Sequence, residues 1–394
     1  MVLATGVPTR EELVRRAAAA APALRERAEW TEQNRRLPEE TIEALAEAGV
    51  FKLRVPVRYG GYEADTRTLV DVAAELARGD GATAWVASVY WIPTWMTCLF
   101  PDEVQDEVFA TPDVRICGTL SPSATATRAD GGIVVNGRWG FVSGALHSQW
   151  QEIIAVQVDA EGGPMPVMAL VPMSDLTIVD DWHTAGLRGT GSVSTVADNL
   201  FVPAARVLPL GAVLQQQSAS LRNADAAIYR PPLLPVASAS SVGSVVGLAQ
   251  AAWDIFTERL PGRKITYTGY EAQAEAPVTH LQVADAVQRI EEARHHAHRL
   301  TDLVDGKAND AGEWSLEERA RARAALGAAC RRAREAVRIL ADASGGSSVY
   351  DSVPMQRVLR DVQSVNLHAL MNPDTNAELY GRVLCGLEPN TLYL

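Results

Sequence analysis

A mainly helical chain with one β-domain set in its middle, an α+β architecture, is the fold class that the sequence predicts. Three observations carry this reading. Apolar residues recur at helical spacing across residues 9–99. Between Val114 and Leu208 that period gives way to short β-rich runs separated by Gly, Asp, Asn and Pro. After Pro209 the helical period returns and holds almost to the end. The expected domains are an N-terminal helical domain over 1–112, a middle β-barrel or sandwich over 113–208 and a C-terminal helical bundle over 209–394. A chain of 394 residues exceeds the size at which single cores stop growing, about 250–300 residues, so several packed domains are expected.

Each element has its own signal. Thr9-Arg10-Glu11-Glu12 is a capping box that opens the first helix. Pro38-Glu39-Glu40 opens a second, with Ile42, Leu45, Ala46 and Val50 on one stripe and Gly49 as its stop. Arg58-Tyr59-Gly60-Gly61 is a turn, and Leu69 to Arg78 is amphipathic. Gly79-Asp80-Gly81 leads into the nearly all-apolar Ala82–Val86 helix, and Phe100-Pro101 ends the helical region that follows. In the middle domain, Gly132–Asn136, Ile153–Val158 and Val167–Val171 are strands. Asn136-Gly137 is a hairpin signal, which predicts a strand over Arg138–Ser143 with Trp139, Phe141 and Ser143 on one face. Such an apolar wall with a hydroxyl at its end suits a planar heteroaromatic ligand. Four helical segments follow: Leu233–Leu260, Val278–Val304, Leu316–Ala343 and Pro354–Leu384. Pro231 to Trp253 carries no charge and is long enough to span a bilayer, but Pro231-Pro232 and Ser238, Ser240, Ser241 and Ser244 mark it as a helix buried inside a bundle or subunit interface.

Composition and motifs exclude several functions. A net charge of −12 and a pI near 5.2 lack the basic footprint of nucleic-acid or anionic-membrane binding, so a neutral or modestly charged small molecule is the expected partner. Cys98, Cys117, Cys330 and Cys385 form no C-x-x-C pair and are expected to be buried free thiols. Early charges at Arg10, Glu11 and Glu12 exclude a secretory signal, so a cytoplasmic location is expected. Glu292-x-x-His295 is half of a di-iron motif without its second half, so no metal is expected and His295, His296 and His298 form a solvated or subunit-facing surface. The cluster Gly186-Leu187-Arg188-Gly189-Thr190-Gly191-Ser192 lacks the third glycine of a dinucleotide fingerprint, and no NADH site is visible. No G-x-S-x-G elbow, P-loop or H-E-x-x-H occurs. His368 stands as a single polar group on an otherwise apolar helix face.

The order helices, β-domain, bundle, with W-x-F-x-S-G from Trp139 to Gly144 and a late Arg360-Asp361 pair, resembles the acyl-CoA dehydrogenase superfamily over nearly the whole chain. Leu37–Thr41, Val55-Pro56 with Tyr59-Gly60-Gly61, Trp85-Val86, Arg138–Gly144, Gly186–Ser192 and Arg357-x-x-Arg360-Asp361 are similar to its two-component flavin-dependent monooxygenases. That resemblance implies reduced FAD or FMN delivered by a separate NAD(P)H:flavin reductase, addition of O2 to give a flavin C4a-hydroperoxide, and transfer of one oxygen to substrate. It implies that Ser143 meets the flavin N5 edge, that Trp139 and Phe141 wall the isoalloxazine, and that Thr190 and Ser192 line the same pocket. Arg263 with Gly345, Gly346 and Ser347 resembles positions that hold flavin phosphates across a subunit boundary, which implies a homotetramer. His368 would lie beside substrate, orienting or deprotonating it or steadying the hydroperoxide, with Trp91, Trp95 and Leu370 as apolar lining.

The dehydrogenase of the same fold needs a glutamate base. The place nine residues after Arg360 holds Ala369, and no Glu occurs between Glu161 and Glu258. A histidine that grips the phenol oxygen in phenol-hydroxylating relatives is also missing from Trp91-Ile92-Pro93-Thr94-Trp95. The expected substrate is therefore a larger neutral aromatic, an indole or polycyclic natural-product intermediate, with Thr119 and Ser121 as polar contacts. The alternatives are an N-oxygenase of an amine or amino sugar, an acyl-CoA dehydrogenase, and a non-catalytic helical assembly.

Overall fold

The computed structural model describes residues 6–159 and 163–394; the first five residues of the expected N-terminal domain lie outside the described residues. Helix α1 (Arg10–Asn34) starts on Thr9, whose hydroxyl accepts from the Glu12 N–H at 3.3 Å. The expected capping box is only half made, because the Glu12 carboxylate turns to Arg15 and Arg16. Helix α2 (Glu39–Glu47) follows Pro38 and ends before Gly49 at φ 79°. Helices α3 (Thr66–Gly79) and α4 (Gly81–Thr97) are capped by Asp65 and Asp80. A short α5 (Asp102–Val108) follows Pro101, where the sequence had marked only an end.

The middle region is one eight-stranded mixed sheet. Its strands are β1 (Ile116–Gly118), β2 (Ala124–Ala129), β3 (Gly132–Trp139), β4 (Trp150–Asp159), β5 (Gly163–Pro172), β6 (Thr177–Val179), β7 (Ser194–Pro203) and β8 (Val207–Pro209). Their order is β6-β7-β3-β2-β4-β5-β8, with β1 beside β4; β1 and β2 run parallel to β4, and the other pairings are antiparallel. Asn136-Gly137 does not make the expected hairpin. The β2–β3 turn is Asp130-Gly131, and Asn136-Gly137 lies inside β3 where its register with β7 slips. A Cβ at position 137 would stand 2.3 Å from the Ala124 Cβ, so this glycine serves close strand approach at an irregularity.

Helices α6 (Leu210–Leu214), α7 (Leu233–Arg259), α8 (Pro277–Asp310), α9 (Leu316–Ala343), α10 (Pro354–Val365) and α11 (Pro373–Leu384) complete the chain. The last two were expected as one helix. Pro373 has no N–H to extend a helix and restricts Asn372, whose side chain instead caps α11 by accepting from the Asp374 and Thr375 N–H groups at 2.9 and 3.2 Å. His368 therefore sits in the intervening turn, not on a helix face. Cys98, Cys117 and Cys330 are buried, whereas Cys385 at the end of α11 is exposed, against expectation, because that helix closes at the surface.

Helix α7 is buried on all sides, as its composition implied. Among the described residues it is the one helix long and apolar enough to cross a membrane, and 94% of that window is covered by the rest of the chain. Ser240 and Ser241 donate to carbonyls one turn back, so these hydroxyls are satisfied in the interior. Gly243 and Gly247 let it touch α3: Cβ atoms there would stand 2.5 Å from the Val70 carbonyl oxygen and 2.2 Å from that of Ala74. Neither backbone oxygen has room to yield. The substitution Gly247→Val is expected to destabilise the fold by about 1–3 kcal/mol through overpacking, read as a lowered thermal midpoint; an unchanged midpoint would contradict this contact.

Candidate active site

The loop 186–192 brings the β-domain against both helical parts. A Cβ at Gly186 would lie 2.3 Å from the Arg360 carbonyl oxygen, and one at Gly189 would lie 2.2 Å from the Thr31 side chain. Only glycine permits this wedge between α1 and α10. The loop is pinned there by polar contacts. The Leu187 N–H donates to the Asp361 carboxylate at 2.6 Å, and the Arg360 guanidinium donates to the Ala185 carbonyl while pairing with Glu32 at 2.5 Å. Burial pushes the Asp361 carboxyl up to about 7, with the Asp80 charge adding to the effect against the Leu187 N–H and the Arg357 guanidinium. The late Arg360-Asp361 pair thus acts as a clamp between domains.

Trp139, Phe141 and Ser143 do not share a face. Trp139 ends β3 wholly buried, donating to the Ile154 carbonyl at 2.9 Å inside the β-domain, so it does not wall the cavity. Phe141 stands at φ 61°, which turns the chain out of the strand and leaves its ring 74% exposed, edge-on to Trp182 at 5.7 Å. A large exposed aromatic held in the left-handed region is a costly arrangement that clusters at ligand sites. Ser143 follows, and the Val142 and Gly144 N–H groups donate to the Val193 and Thr190 carbonyls. This pairing holds Ser143 against the clamped loop.

The hydroxyls there form a chain with a fixed direction. Thr190 Oγ1 donates to the Leu187 carbonyl at 2.8 Å, because a carbonyl can only accept. Ser192 Oγ, 2.6 Å from Thr190 Oγ1, must then donate to it, and Ser143 Oγ, 2.7 Å from Ser192 Oγ, must donate in turn. The indole N–H of Trp85 donates to Ser143 Oγ at 3.2 Å. Ser143 has thus committed its proton and one lone pair. Its remaining lone pair is an acceptor.

Ser143 and Phe141 line a cavity of about 470 Å³ together with Trp85, Val89, Ile92 and Met96 from α4, Thr119, Leu120 and Ser121 after β1, Arg323 from α9, and His368, Ala369 and Leu370 from the α10–α11 turn. Thr119, Ser121, His368 and Leu370 are thus brought together on one cavity. Trp91 and Trp95 are not. They lie on a different face of α4, buried, donating to the Val50 and Ile228 carbonyls at 2.8 and 2.6 Å. The lining stripe is 85, 89, 92, 96, offset from the expected one. Thr190 and Ser192 stand behind Ser143 without lining the cavity. Arg263 meets the Gly345–Ser347 turn by donating to the Ser344 carbonyl, but neither borders this cavity.

His368 accepts at Nδ1 from the Leu370 N–H at 3.2 Å, which assigns its proton to Nε2, and its ring stands edge-on to Trp85 at 5.2 Å. Withdrawal from bulk water pushes it down to about 4, with the Arg323 charge adding to the effect. It is a neutral hydrogen-bond donor at ordinary pH. Among the described residues no Asp or Glu lines the cavity, and Ala369 stands in it where a dehydrogenase would need its base. Trp85, Trp182 and Arg323 were not assigned to the site from sequence. Arg323 had a signal, since it shares one helical stripe with Leu326, Gly327 and Cys330, where an apolar residue is expected.

Fold and cavity together define an acyl-CoA dehydrogenase-type scaffold whose cavity has a polar edge at Ser143 and, among the described residues, no carboxylate. Residues 10–110 match the acyl-CoA dehydrogenase N-terminal domain, and residues 239–373 match its C-terminal domain. The oxygenase subunit HsaA of a flavin-dependent monooxygenase from Rhodococcus jostii is 32% identical over 93% of this chain and 96% of its own. The oxygenase component of an FADH(2)-dependent resorcinol hydroxylase from Rhizobium sp. is 32% identical over 97% and 96%. The structure of XiaF from Streptomyces sp. in complex with FADH2 and glycerol superposes with a TM-score of 0.91 at 32% identity, covering 97% of each chain. The chain belongs to the flavin-dependent monooxygenases, as an oxygenase component.

The state of His368 can be read directly. Its imidazole resonance is expected to titrate with a midpoint of about 4, well below the ordinary value of about 6.5. Because the folded value is the lower one, its contribution to stability is present above about 6.5 and is lost as pH falls through about 4. His368 is exposed along the cavity that it lines, and a midpoint near 6.5 would mean that its ring there is solvated as in free water.

Proposed function

We infer that this chain hydroxylates an electron-rich aromatic, of indole or polycyclic type, using O2 and reduced FAD or FMN brought by a separate NAD(P)H:flavin reductase. The observation that carries this reading is the acceptor-only hydroxyl of Ser143 at the edge of a cavity that no carboxylate lines among the described residues. A reduced isoalloxazine carries a proton on N5 and is a donor there; the oxidised ring has only a lone pair. The committed proton of Ser143 fits the first. Phe141, with Trp182 behind it, offers the flat wall that such a ring needs.

When bound, the reduced flavin supplies the two electrons that let one oxygen atom enter the substrate and the other leave as water. The residues of the chain prepare the ground for this. Ser143, fixed in direction by Ser192 and Thr190, would accept from a donor at the flavin edge. His368 directs Nε2–H at an oxygen acceptor and, with Nδ1 occupied, orients substrate instead of deprotonating it. Val89, Ile92, Met96 and Leu370 keep the cavity apolar, which limits unproductive loss of peroxide to water. Arg263 with Gly345, Gly346 and Ser347 receives the flavin phosphates of a neighbouring copy, which makes a homotetramer the expected assembly. The support for this is their mutual contact outside the cavity.

Mixing the chain and reduced FAD anaerobically, then adding oxygenated buffer in a stopped-flow instrument, tests the function. A transient absorbance that outlasts free-flavin oxidation is expected. Ser143→Ala should shorten its lifetime by about tenfold or more. His368→Ala should instead lower product formed per flavin oxidised. Oxidation along the protein-free course in the unaltered chain would contradict the oxygenase reading.

A further inference from the structure

Arg323 is a buried cation with no acidic partner among the described residues. Its residue is 7% exposed, and two of its donors are engaged: Nε with the Asn376 side-chain oxygen at 2.8 Å and Nη1 with the Tyr393 carbonyl at 2.7 Å. Both acceptors are neutral. Among the described residues no carboxylate pairs with it within 4.0 Å, whereas arginines 321, 331 and 332 of the same helix each pair with one. Burial pushes its guanidinium down to about 10, and no acidic neighbour restores it. It nonetheless remains charged at ordinary pH.

This guanidinium lines the cavity, and it is the one charged side chain among the described residues that does so. An unpaired charge withdrawn from water costs free energy that an incoming counter-charge recovers. A guanidinium has five N–H donors in a planar fork, so three remain after the two protein contacts. The neighbouring polar groups have the same sense: His368 presents Nε2–H, a donor. The polar end of this cavity is built for an acceptor, and its charge is positive.

We propose that the aromatic substrate carries an acidic group, a carboxylate or an equally ionised oxyanion, which Arg323 receives while the ring lies toward Phe141 and Ser143. This rests on the oxygenase reading and deepens it, replacing the neutral aromatic expected from sequence with an anionic one. Arg323 is then a specificity-determining residue that holds the ring by its acidic substituent. The same side chain also ties down the C-terminal segment through the Tyr393 carbonyl, so the test has to separate charge recognition from that support.

Matched pairs do so: indole-3-carboxylate against indole-3-carboxamide, and 2-naphthoate against 2-naphthamide, titrated calorimetrically and anaerobically into the chain with reduced FAD present. At least one acid is expected to bind about tenfold or more tighter than its amide. Arg323→Gln should erase that advantage while leaving amide affinity within about twofold, and Arg323→Lys should retain part of it. Equal binding of acid and amide by the unaltered chain, or no acid bound, overturns the proposal without needing any variant to fold. Equal weakening of acid and amide in Arg323→Gln overturns it in favour of a purely supporting role. Binding of reduced FAD, measured in the same cell before ligand is added, stands apart. Its failure would strike at the oxygenase reading, and its success with indifferent ligands would strike at the anion site alone.

Discussion

The contact on which the rest of this structure depends is the one between the Asp361 carboxylate and the Leu187 N–H, 2.6 Å apart in the interior. The loop 186–192 has to pass between two helices with no space for a Cβ at Gly186 or Gly189. Leu187 is held in the left-handed region as it does so. Backbone in that state needs a strong external partner, and a buried carboxylate reserved for one N–H provides it. Around it, Arg360 and Glu32 tie the loop, α10 and α1 into one junction. Three parts of the chain remote in sequence are thereby fixed to within a hydrogen bond.

The chemical consequence appears at the other end of the loop. A carbonyl cannot donate, so the Leu187 oxygen sets the direction of Thr190, Thr190 sets Ser192, and Ser192 sets Ser143. Trp85 closes the chain by donating from the α4 side. A backbone conformation is thus converted into the hydrogen-bonding sense of one hydroxyl at the cavity edge. No single residue in this relay is unusual. Its polarity comes from the whole, which is why a mutation anywhere along it would be felt at Ser143.

Much of this was legible in the sequence. The helix, sheet, helix order followed from the change of period near Val114 and Pro209, and the buried character of α7 followed from its uncharged length interrupted by serines. Ser143, Phe141, Thr119, Ser121, Leu370 and His368, which short motifs and a family resemblance single out, line one cavity. What escaped was decided by tertiary geometry. Trp139 and Phe141 part company because β3 ends at Trp139 and Phe141 itself stands at a positive φ, which breaks the strand alternation on which a same-face reading depends. Trp91 and Trp95 belong to a helix buried on every side, where sequence period cannot tell which face meets the cavity. His368 left its helix because Pro373 and the Asn372 cap start a new one. Arg323 was hidden in an arginine-rich segment in which arginines 321, 331, 332 and 338 pair with carboxylates.

The directed hydroxyl chain is most directly tested by the ratio of dissociation constants for oxidised and reduced FAD, measured by equilibrium binding under air and under anaerobic reduction. One hydrogen bond of the right sense at a buried edge should favour the reduced form by about tenfold or more, and Thr190→Val, which removes the donor that sets the direction, should shrink that ratio. Equal affinity for the two redox states in the unaltered chain would contradict the reading of Ser143 as an acceptor held by its neighbours.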